Sequence, residues 1–236
     1  QVSPVFSGLG ATQYTLQVRD GNGCIATITD TLTSPTGLFG SLVGKKDVRC
    51  FGLDDGFIEI AGAGGTQPYT LSLDGSNFSN GLSLDSLGPG QDTVLILDAN
   101  NCLVAIPFEI FEPLALSGSP VYTQNINCFG FQTGIIELKG SGGSLPYTFS
   151  VDGSNYQSDS LFTGLPAGVY QAIVQDDSLC QDTIPIVLTE PDELEMANLN
   201  QKNIDCFGNA NGAVLTDATG GTGPYTYQWN NGAGTD

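Results

Sequence analysis

Apolar and polar residues alternate along this chain in short runs, and clusters of Gly, Asn and Asp bound the runs. Two-residue alternation rich in β-branched and aromatic residues marks half-buried strands. The stretch 114–191 shows it well. A first strand falls within 114–127, a second follows Gly134 (Ile135, Ile136, Leu138), and a third alternates Tyr147, Phe149 and Val151 with Thr148 and Ser150. Asp152-Gly153-Ser154-Asn155 turns the chain toward a short edge strand near 160–162. Leu165-Pro166-Ala167-Gly168 then leads into Tyr170, Ala172 and Val174, and residues 176–179 turn into Ile184, Ile186 and Leu188. No segment carries a helical period. About seven short strands per unit predict an all-β, immunoglobulin-like sandwich. Its expected core is Ile58, Ile60, Tyr69 and Leu71, their counterparts Ile136, Leu138, Tyr147 and Phe149, and Val94 or Leu95.

The pattern repeats. Cysteines stand at 24, 50, 102, 128, 180 and 206, spaced 26, 52, 26, 52 and 26, so both cysteine classes recur every 78 residues. Cys50-Phe51-Gly52, Cys128-Phe129-Gly130 and Cys206-Phe207-Gly208 superpose, as do Gly64-Gly65, Gly142-Gly143 and Gly220-Gly221, then Pro68-Tyr69, Pro146-Tyr147 and Pro224-Tyr225. Between 50–77 and 128–155, 17 of 28 residues are identical, which makes a tandem array. Prolines set the phase, because Pro35, Pro113 and Pro191 each close an apolar run. The predicted units are therefore the back of one repeat (1–35), whole repeats at 36–113 and 114–191, and the front of another (192–236). With no starting Met and no leader, the chain reads as a piece of a longer one.

Charge narrows the classes of function. Acidic residues number 25 against six Lys and Arg, histidine is absent, and the net charge is −19. Nucleic-acid binders need cations to displace phosphate counterions, and anionic membrane surfaces attract basic segments, so neither partner is expected. No apolar run approaches the ~20 residues of a membrane span. Without histidine, Ser-His-Asp and Cys-His sites are ruled out within these residues. The cysteine spacing contains no short zinc knuckle. The acidic pairs Asp54-Asp55 and Asp176-Asp177 do not recur as pairs at their counterpart positions in the other repeats, Asp54-Asp55 becoming Gln132-Thr133 and then Ala210-Asn211, so they read as solvated turns, with a calcium site as the alternative reading. Asp74-Gly75 and Asp152-Gly153 read as hairpin turns. Trp229 occupies the third-strand position of Leu73 and Val151 and reads as a core residue, with sugar stacking as the alternative reading. Only Tyr69, Tyr147 and Tyr225 recur as a sugar-stacking platform would require, and they alternate as core residues do. Tyr14 and Tyr170 stand where a tyrosine corner would tie down a loop. Phe51, Phe129 and Phe207 read as plugs on the sandwich end, or as contacts to a neighbouring domain. Neither an enzyme nor a resident cofactor is expected.

Cys-Phe-Gly, the Gly six residues after that Cys, Gly-Gly-x-x-Pro-Tyr, Leu-Pro-Ala-Gly-x-Tyr, Asp-x-Asn-x-Cys and Glu-Pro form a distinctive string. It resembles the SprB-type repeat of giant cell-surface adhesins of gliding bacteria. Leu87-Gly88-Pro89-Gly90-Gln91-Asp92 departs from it by lacking the tyrosine seen at Tyr14 and Tyr170, and Asp176-Asp177-Ser178-Leu179-Cys180 lacks the Asn-Gly of Asp20-Gly21-Asn22-Gly23-Cys24. The resemblance implies a tandem immunoglobulin-like fold, type IX secretion and display at the cell surface. It implies a filament segment serving adhesion and gliding. Implied partners are neighbouring repeats, the gliding or secretion machinery, and an external surface or polysaccharide. The competing reading is a spacer stalk presenting a catalytic or carbohydrate-binding module elsewhere in a longer secreted protein.

Cysteines in a secreted β array are expected to be oxidised. Three regular pairings are open. One joins neighbours 26 apart (Cys24–Cys50, Cys102–Cys128, Cys180–Cys206), one joins Cys50–Cys102 and Cys128–Cys180 within each repeat, and one joins Cys50 to Cys180. The turn cysteines sit at one end of a sandwich and the hairpin cysteines at the other. A seven-residue strand spans about 23 Å, whereas bonded Cα atoms lie within roughly 7 Å. That ranks Cys50–Cys180 first and the within-repeat pairs second, leaving Cys24, Cys102, Cys128 and Cys206 to partners in further repeats. Finally, Asp followed by Ser or Thr and an aliphatic residue occurs six times, placing Thr31, Ser86, Thr93, Ser160, Ser178 and Thr183 at scattered offsets in the repeat. Composition accounts for about one such triplet. Secreted proteins resembling this family carry O-glycans there, and the competing reading is loop-to-strand junction chemistry. The lone sequon Asn77-Phe78-Ser79 reads as accidental.

Overall fold

The computed structural model describes residues 4–228, and every regular element among them is a β-strand. The chain divides into two compact units. One takes in the residues up to Val48 together with Asp54–Phe111, and the other takes in Arg49–Leu53 and the residues from Glu112 onward.

The first unit opens with an antiparallel hairpin of β1 (Gln13–Arg19) and β2 (Ile25–Thr31). Six strands follow: β3 (Phe39–Lys46), β4 (Gly56–Ala63), β5 (Thr70–Ser72), β6 (Ser83–Leu87), β7 (Gly90–Leu97) and β8 (Leu103–Ile110). They form two three-stranded sheets, ordered β3-β4-β6 and β5-β7-β8. Read as strands A, B, C, E, F and G, this order is ABE against CFG, the immunoglobulin arrangement without its D strand. The second unit repeats it with β9 (Ser117–Gln124), β10 (Gly134–Ser141), β11 (Thr148–Ser150), β12 (Leu161–Leu165), β13 (Gly168–Gln175) and β14 (Gln181–Leu188), in sheets β12-β10-β9 and β11-β13-β14. A last antiparallel pair joins β15 (Glu195–Lys202) to β16 (Ala213–Thr219).

Alternation decides which side chains meet between the sheets. On β4, Ile58 and Ile60 point inward and Glu59 outward; on β7, Val94 and Ile96 are buried; on β8, Ile106, Phe108 and Ile110 are buried while Ala105, Pro107 and Glu109 face out. The second core repeats the plan with Ile136, Leu138, Phe149, Ala172, Val174, Ile186 and Leu188. Of the alternatives on β7, Val94 rather than Leu95 is inside. Tyr69 and Tyr147 are half-buried rather than fully buried, because each phenol reaches past the core edge to a backbone carbonyl. Prolines fall on the outer strands, with Pro107, Pro120 and Pro185 on β8, β9 and β14, where a missing N–H costs no ladder bond.

Two expectations need correction. Each sandwich has six strands, not about seven, and the third is three residues long, so Tyr147 and Val151 flank β11. The cause is the turn after it. Asp152 Oδ1 accepts the N–H groups of Ser154 and Asn155 at 2.9 and 2.8 Å, withdrawing them from any ladder. Only the isolated bridge Phe149–Gln157 remains, matched by Leu71–Ser79.

Irregularities recur with the period as well. The A–B pairing skips one residue at Val43, Val121 and Leu199, a bulge at the same offset in each copy. Gly64, Gly142 and Gly220 hold φ of +68°, +73° and +71°. A Cβ there would collide with the carbonyl oxygen of Gly37, Ala115 or Glu193. Glycine therefore meets both a backbone and a space requirement. Tyr69, Tyr147 and Tyr225 donate to the carbonyls of these glycines at 2.6, 2.6 and 2.5 Å.

Candidate functional site

The recurring chemistry gathers on two loops. The first is the turn between strands A and B. Residues Leu53, Phe131 and Asn209 each donate N–H to the carbonyl of the turn cysteine, Cys50, Cys128 or Cys206, at 3.1 Å. The glycine after the phenylalanine takes φ of +77°, +73° or +85°, which a side chain would strain. The Glu before the closing proline holds the turn from 60 residues away. Gly52 N–H donates to Glu112 Oε2 at 3.0 Å, and Gly130 N–H donates to Glu190 Oε2 at 2.7 Å. The phenylalanines are not plugs: Phe51, Phe129 and Phe207 are exposed, because the tight turn points the ring away from the sheets.

The second loop is the hairpin between strands F and G. Asp20, Asp98 and Asp176 each donate backbone N–H to the carbonyl of Cys24, Cys102 or Cys180 at 3.0 Å. Their carboxylates then build the hairpin. Asp98 Oδ1 accepts the N–H of Cys102 at 2.7 Å and of Asn100 at 2.9 Å, while Oδ2 accepts Thr66 N–H at 2.9 Å. Asp176 accepts Cys180 N–H at 2.8 Å and Ser144 N–H at 2.8 Å. One carboxylate thus fixes the cysteine backbone and ties the hairpin to the Gly-Gly loop. Burial pushes the Asp98 carboxyl up, but the N–H donors of Cys102, Thr66 and Asn100 outweigh it and hold the group below the usual carboxylate range. Reading Asp176 as a solvated turn residue was wrong: it is 3 % exposed and its oxygens are taken up by backbone donors. The recurrence of Asp four residues before each hairpin cysteine is the signal that finds it. Asp54 is exposed and Asp55 half-buried. Among the described residues, no three His, Cys, Asp or Glu side chains cluster as metal ligands.

The two loops meet inside the second unit. Cys50 and Cys180 are joined by a disulfide with a Cα–Cα distance of 5.8 Å, across 130 residues of sequence. The turn 49–53 therefore belongs to the unit of the following repeat. The within-repeat alternatives Cys50–Cys102 and Cys128–Cys180 are not formed. Cys24, Cys102, Cys128 and Cys206 are exposed thiols.

The other singled-out residues have local roles. Tyr170 donates its phenol to Pro166 O at 2.7 Å and Tyr14 to Gly10 O at 3.0 Å, the four-residue reach of a tyrosine corner. In the repeat between, Asp92 replaces the tyrosine and accepts Thr93 N–H at 2.6 Å. Asp74 and Asp152 each collect four hydrogen bonds in the turn after the third strand. Backbone N–H groups, led by that of Asn77 and of Asn155, draw both carboxyls far below their ordinary range. Asn77 of the lone sequon is held there, its Nδ2 donating to Asp74 Oδ2 at 2.6 Å. Of the hydroxyls in the Asp-Ser/Thr-aliphatic triplets, Thr31, Ser86 and Thr183 are exposed and Thr93, Ser160 and Ser178 half-buried. Trp229 lies outside the described residues.

A model of the SprB repeat matches three times, at residues 44–78, 120–155 and 198–234. This chain carries the SprB repeat. Each match begins in strand A or its counterpart and takes in the cysteine turn, the Gly-Gly loop and the Pro-Tyr pair described above. No curated protein matches the chain. Among solved structures, it is similar to a C-terminal 282-residue fragment of intimin, solved in complex with the intimin-binding domain of its translocated receptor. Identity is 16%, TM-score 0.31, with 79% of this chain and 62% of that one covered. It is also similar to three N-terminal domains of the bacteriophage RB49 outer capsid protein Hoc, at 16% identity and TM-score 0.35, covering 85% and 78%. The fold assignment rests on the strand order, not on these likenesses. No helix of the described residues is long and apolar enough to cross a membrane.

Proposed function

We propose that the chain is a non-catalytic structural segment of an extended cell-surface filament or adhesin, used in surface adhesion and gliding motility and exported by type IX secretion. Its units are bounded after Pro35, Pro113 and Pro191. The observation that carries this reading is the 78-residue recurrence of a SprB-bearing sandwich together with its strand A bulge, its cysteine turn and its cysteine hairpin. A catalytic domain concentrates its chemistry at one place, whereas stacked identical units extend without limit. The recurring tyrosines are tied to glycine carbonyls rather than offered as a flat sugar platform. A net charge of −19 keeps such chains apart and soluble. The working partners are neighbouring repeats, the gliding or secretion machinery, and an external surface or polysaccharide. Thr31, Ser86, Thr93, Ser160, Ser178 and Thr183 are the sites proposed for O-glycans, which would shield an exposed array.

The test is to label the intact cells with antibody to residues 114–191 and to delete the repeats in the chromosome. Labelled filaments and loss of attachment and of movement over glass are the expected results. Label confined to the cell interior, or unaltered attachment and movement, would refute the reading.

A further inference from the structure

Four cysteines stand outside the Cys50–Cys180 bond, yet the backbone around them is the same as around the bonded pair. The turns at Cys128 and Cys206 repeat the 3.1 Å hydrogen bond of the Cys50 turn and its left-handed glycine. The hairpins at Cys24 and Cys102 repeat the aspartate cradle of Cys180. Cys24 and Cys102 donate N–H to Asp20 and Asp98 Oδ1 at 2.8 and 2.7 Å, against 2.8 Å for Cys180 to Asp176. The residue before each hairpin cysteine sits at positive φ, at +93° for Gly23, +63° for Asn101 and +65° for Leu179. Leucine rarely adopts that conformation, and the same left-handed backbone appears beside the bonded cysteine and the free ones alike. All four thiols are exposed. The same two positions of the repeat, one period along, are covalently joined in the second unit.

We propose that every turn cysteine bonds the hairpin cysteine 130 residues later, so that Cys128 and Cys206 pair forward, and Cys24 and Cys102 pair backward, with further copies of the same repeat in one polypeptide. The bond forms by exchange with an external disulfide, either a small-molecule disulfide or a disulfide oxidoreductase. The turn thiolate attacks that disulfide and displaces one of its thiolates. The hairpin thiolate then attacks the turn sulfur, the second thiolate of the oxidant leaves, and the two protons given up by the protein thiols pass to the two departing thiolates. The oxidant ends as two thiols and the protein gains one S–S bond.

The consequence follows from the spacing. Each hairpin cysteine lies 26 residues before the turn cysteine that begins the next bond, as Cys180 lies before Cys206. A covalent path therefore crosses two repeats through one cystine and 26 residues, and bonds from alternate repeats form two such paths side by side. Stretching the oxidised array to its limit yields about one-sixth of the reduced length, since reach scales with residues in the path.

Peptide mapping of the full-length secreted protein, with thiols alkylated before non-reducing digestion, decides the matter without reference to adhesion. The expected products are Cys128 and Cys206 peptides linked to hairpin peptides carrying Asp four residues before Cys, each from the next repeat, 130 residues on. Alkylated Cys102 and Cys128, a bond between two turn cysteines, or a bond between turn and hairpin of one repeat would overturn the proposal. In the variant Cys128→Ser, one new alkylable thiol is expected, on the hairpin 130 residues later, with Cys50–Cys180 intact. Finding no new thiol would equally overturn it.

Discussion

Opening the Cys50–Cys180 bond is expected to change how far the chain stretches before it changes how stable the sandwiches are. The bond brings two Cα atoms to 5.8 Å across 130 residues. Tension entering at Cys50 leaves through the sulfur bridge at Cys180, so the residues between them carry none of it. Those residues include β4 to β13, most of both sandwiches. At about 3.6 Å per residue, the protected loop holds about 470 Å of contour. Subtracting the distance already spanned leaves about 460 Å to be released on reduction. The assay is single-molecule force spectroscopy on the 236-residue chain, tethered at its ends, with and without reductant. The oxidised chain is expected to reach full extension about 460 Å shorter than the reduced one, with the sandwich steps reduced to detachment of β3 and β14, which lie outside the closed loop. Cys180→Ser is expected to behave as the reduced chain in either buffer, and Cys102→Ser as the wild type. An oxidised trace that shows both sandwich steps and the full contour length would refute the reasoning, because no covalent shortcut would then exist.

Four further outcomes follow from particular contacts. Ile136→Ala, at a fully buried position of β10, is expected to cost about 2–4 kcal/mol through lost burial and the cavity left behind; calorimetry checks it, and an unchanged melting temperature would show the core misassigned. Gly142→Ala forces a Cβ against the Ala115 carbonyl, whereas Gly153→Ala meets only the end of Ile173 at 3.6 Å, so the first is expected to lower the melting temperature more than the second. Tyr170→Phe removes one hydrogen bond to Pro166 O and is expected to cost about 1 kcal/mol by chemical denaturation. The Asp98 carboxyl is depressed in the folded state, so its contribution is complete above the ordinary carboxylate range near pH 4 and is lost as pH falls through the lower folded value. The melting temperature of Asp98→Asn should accordingly fall less between pH 5 and pH 2 than that of the wild type.

What could be read in advance was whatever the period and the two-residue alternation encode. Strands B, F and G of each repeat follow apolar alternation, and Ile58, Ile60, Leu71 and Val94 lie inside as that pattern requires. The third strand was overestimated, because alternation of Tyr147, Phe149 and Val151 says nothing about where Asp152 draws the backbone donors away. The bulges at Val43, Val121 and Leu199 left no common trace in the sequence: a glycine, Gly44, follows the first, but Tyr122 and Asn200 stand at that place in the other two. Phe51 and its counterparts were misjudged for a related reason. Recurrence reports that a position is constrained, and an exposed ring held by a tight turn recurs as faithfully as a buried one.

The aspartate before each hairpin cysteine carries the same lesson further. Its offset was visible, but carboxylates in loops are ordinarily solvated, and only three-dimensional structure shows three backbone donors converging on Asp98 from two loops. A carboxylate with fixed donors is a rigid template, and it shapes the cysteine hairpin whether or not the cysteine is bonded. The turn opposite is templated likewise by Glu112 and Glu190. Acidic residues are thus abundant here for two separable reasons. Some, such as Asp98 and Asp176, organise loops from within and are all but inaccessible to solvent. Others, such as Asp54, face water and supply the charge that keeps the surface soluble. Neutralising the second group should leave the cysteine loops in place, whereas replacing the first should unmake the very geometry that brings Cys180 to Cys50.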